Sequence, residues 1–174
     1  MKLIIPPQEN LCAVYLVDTP LSPLLCQTHP DKIFIFGDNT ERTGTQGQAF
    51  IRRCPNTFGI RTKISPKTNA IAYFYDYDLM LFKYLLAEDM KQIHKLRQTH
   101  AIVFHLNGYG NGLAKLPEKA PRCYKHLVNT LNTYCQGTYW CLNPSHPNHL
   151  PQNSSTTTDQ SDTSTTQTHP EVSP

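Results

Sequence analysis

Two polar stretches carry the residues most able to do chemistry. The first, Gly37 to Gln48 (GDNTERTGTQGQ), supplies Asp38, Asn39, Arg42, Gln46 and Gln48 among glycines at 37, 44 and 47. Asp38 and Asn39 can hydrogen-bond ribose hydroxyls or a base edge, and Gly47 lets the main chain approach a phosphate. The alternative for this Asp-Asn pair is a strand-ending turn in which each side chain bonds its own backbone. The second stretch runs Asn107-Gly108-Tyr109-Gly110-Asn111-Gly112-Leu113-Ala114-Lys115-Leu116-Pro117. Alternating glycines expose backbone amides, and successive amides turned inward form a concavity for an anion such as a phosphate or diphosphate. A following helix would add its dipole. Neither a Gly-Lys-Ser/Thr ending nor a G-x-G-x-x-G spacing is present, so the loop is not of the Walker or dinucleotide type.

Each stretch leaves an apolar run. Ile33 to Phe36 precedes the first and reads as a buried central strand, and Ala101 to Leu106 precedes the second. Leu11 to Val17, Ile60 to Ile64, Ala70 to Tyr75 and Tyr139 to Leu142 are read as further strands. Prolines 20, 23 and 30 keep their segment extended or turning. A short helical piece is expected over Gln48 to Arg53. Leu79, Phe82, Leu86, Met90, Ile93 and Leu96 recur at three and four residues, which predicts a long amphipathic helix with Asp78 as its N-cap. A last helix is expected from Pro117, burying Ala120, Tyr124, Leu127, Val128 and Leu131.

This alternation specifies an α/β domain over residues 1–142: a mostly parallel or mixed central sheet with helices on both faces. Residues 143–174, rich in Ser, Thr and Pro with almost no apolar side chain, are expected to form a disordered tail. In such sheets ligands bind beyond the carboxyl ends of the strands, where both polar stretches begin.

The remaining features mainly exclude. A net charge of +3 without a Lys/Arg block gives no footprint for nucleic acid. A rival reading takes Arg52, Arg53, Arg61, Lys63 and Lys67 as a basic edge, with Tyr73, Phe74, Tyr75 and Tyr77 for stacking. These tyrosines read better as half core and half pocket wall. The six cysteines include no CxxC pair, so neither a metal nor a cofactor is expected, and reduced thiols in a cytoplasmic protein are the simplest reading. Prolines at 6 and 7 interrupt any signal-peptide core, no run is long enough to span a membrane, and a monomer is expected. His105 reads as a core histidine and His126 as a surface one.

Taken together, Ile33-Phe34-Ile35-Phe36-Gly37-Asp38-Asn39 with Gly44-Thr45-Gln46-Gly47-Gln48-Ala49, and Gly110-Asn111-Gly112-Leu113-Ala114-Lys115-Leu116-Pro117, resemble the macrodomain, the ADP-ribose-binding α/β fold. Gly59, Ile60, Thr62 and Lys63 and the run through Pro121 are similar to an uncharacterised set of bacterial and phage macro-like proteins. The resemblance covers roughly residues 30–132. It implies that Asn39 contacts the distal ribose, that Gly47, Gln48 and Ala49 line the first loop, and that Gly110, Asn111, Gly112 and Leu113 cradle the diphosphate, with Gly37, Gly44, Gly108 and Tyr109 completing the ligand-binding set. Departures from the family pattern are Phe36-Gly37-Asp38-Asn39 at the strand end, a glycine run thinned to Gly44 and Gly47, and no glutamate pair of the glycohydrolase relatives.

The resemblance implies ADP-ribose or a related nucleotide as ligand. If the protein is an enzyme, it hydrolyses an ADP-ribosyl linkage, with Asp38 orienting or deprotonating water and Asn39 fixing the ribose. If it is not, it is a reader or sponge of such ligands, and an accessory role on nucleic acid is the third reading.

Overall fold

The computed structural model describes residues 11–135 and 139–141. Strand β1 (Val14–Val17) leads to helix α1 (Pro23–Thr28), strand β2 (Lys32–Asn39) and strand β3 (Thr57–Lys63). Helix α2 (Leu79–Arg97), strand β4 (Ala101–His105), the short helix α3 (Leu116–Lys119), helix α4 (Pro121–Cys135) and strand β5 (Tyr139–Cys141) follow. The five strands form one sheet in the order β3-β2-β4-β1-β5, and every pairing is parallel. The sheet is thus wholly parallel among the described residues.

Side chains alternate across a strand, and here both sides are covered. Ile33, Ile35, Ile102 and Phe104 enter the larger core, against Phe82, Leu86 and Ile93 of α2 and Cys123 and Leu127 of α4. Phe34, Phe36 and Val103 point to the opposite face, with Cys26 of α1 and Ala49 and Ile51. Burial on both faces is why β2 reads as an unbroken apolar run. Each of its four buried Ile and Phe side chains contributes roughly 1.5–3 kcal/mol of transfer free energy.

Several expected elements differ. The segment after Pro20 holds helix α1, which Ser22 caps by accepting the Leu25 N–H at 3.2 Å, with Pro23 as its first residue. Proline suits that position because its missing amide would have lacked a partner. Ala70 to Tyr75 is no strand. Ala70–Ala72 form a single 3-10 turn, and the amides of Ile64 and Ser65 both converge on the Ala72 carbonyl instead of forming a ladder. Asp78 makes no cap bond to α2; its carboxylate accepts the Tyr75 N–H at 2.9 Å. The expected last helix is two helices, broken at buried Ala120 (φ −143°). Pro121 disfavours helical backbone in the residue before it. The apolar stripe of α2 includes one carboxylate, Asp89, 1% exposed.

Lys32–Phe34 of β2 pair with Ala101–Val103 of β4, and the ladder stops there. Beyond that point the chain leaves β2 toward β3 on one side, while β4 leads toward β5 on the other. This reversal is the place where parallel sheets open a crevice. Cysteines 12, 26, 54, 123 and 135 are free thiols. No helix among the described residues is long and apolar enough to cross a membrane. The tail from 143 lies outside the described residues.

Candidate functional site

The end of β2 is built around Asp38. Its side chain lies against Gly59 of β3, the register partner of Phe36, whose missing side chain leaves the space that the Asp38 carboxylate fills. Oδ2 accepts from Arg42 and from Arg52 at 3.0 Å each; Oδ1 accepts from the Asn39 N–H at 2.6 Å and from the second Arg52 nitrogen. Four donors satisfy the roughly four lone-pair sites of a carboxylate. The side chain is 1% exposed. Asp38 therefore has no acceptor left with which to orient or deprotonate a water, and the structure gives it a scaffolding role in place of the expected catalytic one.

The charges continue inward. Arg42 adopts a left-handed backbone (φ 54°) and also reaches Asp89 at 2.8 Å. Asp89 in turn accepts the Arg61 main-chain N–H at 2.8 Å and the Arg61 side chain. Two carboxylates thus hold three guanidinium groups and lock α2, β3 and the first loop together. The cluster keeps a surplus of positive charge beside the cleft.

Asn39 also works locally. Its Nδ2 donates to the Thr43 carbonyl at 2.7 Å, and its Oδ1 accepts the Thr43 N–H at 3.4 Å. The side chain closes the turn that follows the strand, so the turn reading of this residue describes its contacts.

Gln48 joins the two loops. Its Oε1 accepts the Gly37 N–H at 2.8 Å, and its Nε2 donates to the Gly108 carbonyl at 3.1 Å. Sixty residues of sequence separate Gln48 from Gly108, yet the loops abut. Gly47, at φ 58°, also packs on Leu113; a Cβ there would stand 3.1 Å from Leu113 Cδ1. Gln48 is thus a brace, and its amide is engaged with backbone.

The second loop divides into a plug and a rim. Tyr109 is 2% exposed, and its hydroxyl accepts the His105 N–H at 2.8 Å while lying 3.2 Å from the Ile35 carbonyl, to which it donates. It fills the gap where β2 and β4 part. Tyr109 and Gly108 therefore do not line the cleft, contrary to the expectation, because the aromatic ring is needed to close the core below it. Burial raises the Tyr109 phenol far above its ordinary range.

Gly110 (φ 84°) could not carry a side chain, since a Cβ would lie 2.5 Å from Leu116 Cδ1. The Gly110 carbonyl accepts the Leu116 N–H, and the Gly112 carbonyl accepts the Lys115 N–H. Between them, the amides of Asn111, Gly112, Leu113 and Ala114 donate to no acceptor among the described residues. The helix that follows is only four residues long, so the expected dipole contribution is small.

These loops enclose a cleft of about 850 Å³. Gly37, Asp38, Asn39, Gly44, Gly47, Gln48 and Ala49 line one wall, and Gly110, Asn111, Gly112 and Leu113 the other. The volume lies within the roughly 300–1,000 Å³ of small-molecule sites. Lys63, read from the sequence as part of a basic edge, and Tyr73, read among tyrosines that are half core and half pocket wall, form a third wall. Lys63 ends β3 in register with Asn39, is 8% exposed, and carries its ammonium 2.6 Å from the Lys67 carbonyl and 4.5 Å from the Tyr73 ring centroid. No carboxylate pairs with it among the described residues. The register was the signal: a residue level with Asn39 on the neighbouring strand must reach the same crevice.

A cleft lined by amides without acceptors and a lysine without a carboxylate partner among the described residues, beside an aspartate paired to arginines, can hold an anion. No curated protein and no solved structure matches the chain. A family described only as of unknown function, DUF7831, matches residues 17–130, a span that runs from the end of β1 into α4 and includes both loops; the chain belongs to this family.

Proposed function

We propose that the cleft binds the diphosphate of ADP-ribose or a related nucleotide, as a receptor that holds its ligand without cleaving it. The observation that carries this reading is a run of amides at 111–114 with no acceptor among the described residues, in a loop that lines the cleft across from the first glycine loop, with Lys63 lining it as well. A diphosphate would satisfy these donors and balance that charge. Binding is preferred over hydrolysis because the four contacts on Asp38 remove the base that hydrolysis would require.

Gly112 provides the test. A Cβ at this position meets nothing within 4 Å, and the residue is not in a left-handed conformation. Gly112→Glu should therefore fold and place a carboxylate among the amides, a like-charge contact costing several kcal/mol against an anionic ligand. Calorimetry with ADP-ribose should show binding to the wild type and none to the variant, with equal melting temperatures. ADP-ribose binding that the substitution leaves intact would overturn the reading, and release of ADP-ribose from a modified substrate would restore the hydrolase.

A further inference from the structure

The Tyr73 wall does not stop at the cleft. The Lys119 ammonium lies 4.8 Å from the Tyr73 ring centroid and 5.5 Å from that of Tyr75. Tyr75 stacks on Tyr77, with centroids 5.4 Å apart and planes within 16°. From Lys63 outward, cations and aromatic rings therefore succeed one another: Lys63, Tyr73, Lys119, Tyr75, Tyr77. Tyr73 is buried and lines the cleft, whereas Tyr77 is 82% exposed and stands outside it.

The outer pair is held in place by its own segment. The Tyr75 hydroxyl donates to the Ala70 carbonyl at 3.2 Å, and its N–H donates to Asp78. Asp76, the other carboxylate of this segment, accepts the Arg122 N–H at 2.8 Å. Both acids are directed to backbone amides, leaving the exposed Tyr77 ring and Lys119 as the recognition features.

We infer that this row is a second subsite that binds the continuation of the ligand as single-stranded nucleic acid, a base stacking on Tyr77 and a phosphate meeting Lys119. The inference rests on the cleft holding the diphosphate end. A nucleic-acid strand carries flat rings beside negative charges, and an exposed ring with a cation close by meets both. Stacking tolerates any base, so the subsite selects a strand and not a sequence. The contact spans a few nucleotides and needs no broad basic surface, consistent with a net charge of +3.

The experiment compares ADP with a tetra-adenylate carrying the same 5′-diphosphate, titrated into the full chain at low salt. A stacked base is worth roughly 1–3 kcal/mol, so the tetra-adenylate should bind at least about fivefold more tightly than ADP. Tyr77→Ala, at an exposed position, should abolish that gain and leave ADP affinity unchanged. Gly112→Glu should weaken both ligands. Equal affinity for ADP and the tetra-adenylate, or a gain indifferent to Tyr77→Ala, would overturn the subsite while leaving the cleft reading intact. If ADP does not bind, the cleft reading fails; a tetra-adenylate affinity that Tyr77→Ala lowers would then still support the row, and one it leaves unaltered, or no binding at all, would overturn it.

Discussion

A Cβ on Gly59 would stand 2.6 Å from the Cβ of Asp38, closer than real Cβ atoms come. The absence of a side chain on β3 is thus what permits a carboxylate to lie between β3 and two arginines. Gly59→Ala should displace Asp38 and loosen both Arg42 and Arg52. Overpacking of this kind costs roughly 1–3 kcal/mol. Denaturant unfolding should show a loss in that range, and an unchanged midpoint would refute the packing argument.

Asp89 lies at the centre of the charge cluster, with Arg42 on one side and Arg61 on the other. Removing one member of a buried, paired set leaves the others without compensation, at about 3–5 kcal/mol. Asp89→Ala is expected to destabilise by this amount. The double variant Asp89→Ala, Arg61→Ala should cost less than the sum of the two singles, because the groups act on each other. Additive losses would show that the residues are uncoupled.

Gln48 offers a test of whether the loops must be joined. Gln48→Ala leaves the Gly37 N–H and the Gly108 carbonyl without their partners, a cost of roughly 1–3 kcal/mol for each group that stays unsatisfied. ADP-ribose affinity should fall together with stability. Retention of full affinity in a destabilised variant would show that each loop holds its shape alone.

Acid should weaken the fold through His105. Burial lowers its pKa below the ordinary 6.5, and its Nδ1 accepts the Asn107 N–H, which only an unprotonated nitrogen can do. The unfolded chain then binds protons more readily than the native one, so the contribution is fully present above the ordinary value and is lost as pH falls through it. Burial lowers the His126 value too, with Lys83 adding to the effect. Melting temperature should drop between about pH 7.5 and about pH 5.5, and His105→Gln should reduce the drop. An equal drop in the variant would assign the effect elsewhere.

Much of this architecture was legible because it rests on local pattern. The Ile-Phe run of β2 and the stripe of α2 are periodic, and the glycines of both loops mark where the chain must turn. What escaped was decided by distant partners. Asp38 reads as a reactive carboxylate until Arg52 and Gly59 are brought beside it. Tyr109, set among glycines, reads as part of the ligand-binding loop, although the parting of β2 and β4 gives it a place in the core. Asp89 interrupts an apolar stripe for the sake of arginines far away in sequence. Ala70 to Tyr75 is apolar enough for a strand, but short runs of that kind do not reveal whether a neighbouring edge will receive them.

The Tyr109 hydroxyl, bonded to both strands, gives the crevice a solid floor. A ligand that binds between the loops therefore need not pry the sheet apart. Hydrogen exchange should register occupancy as slowed amides at 111–114, while the strands beneath exchange at the same rate whether the site is full or empty.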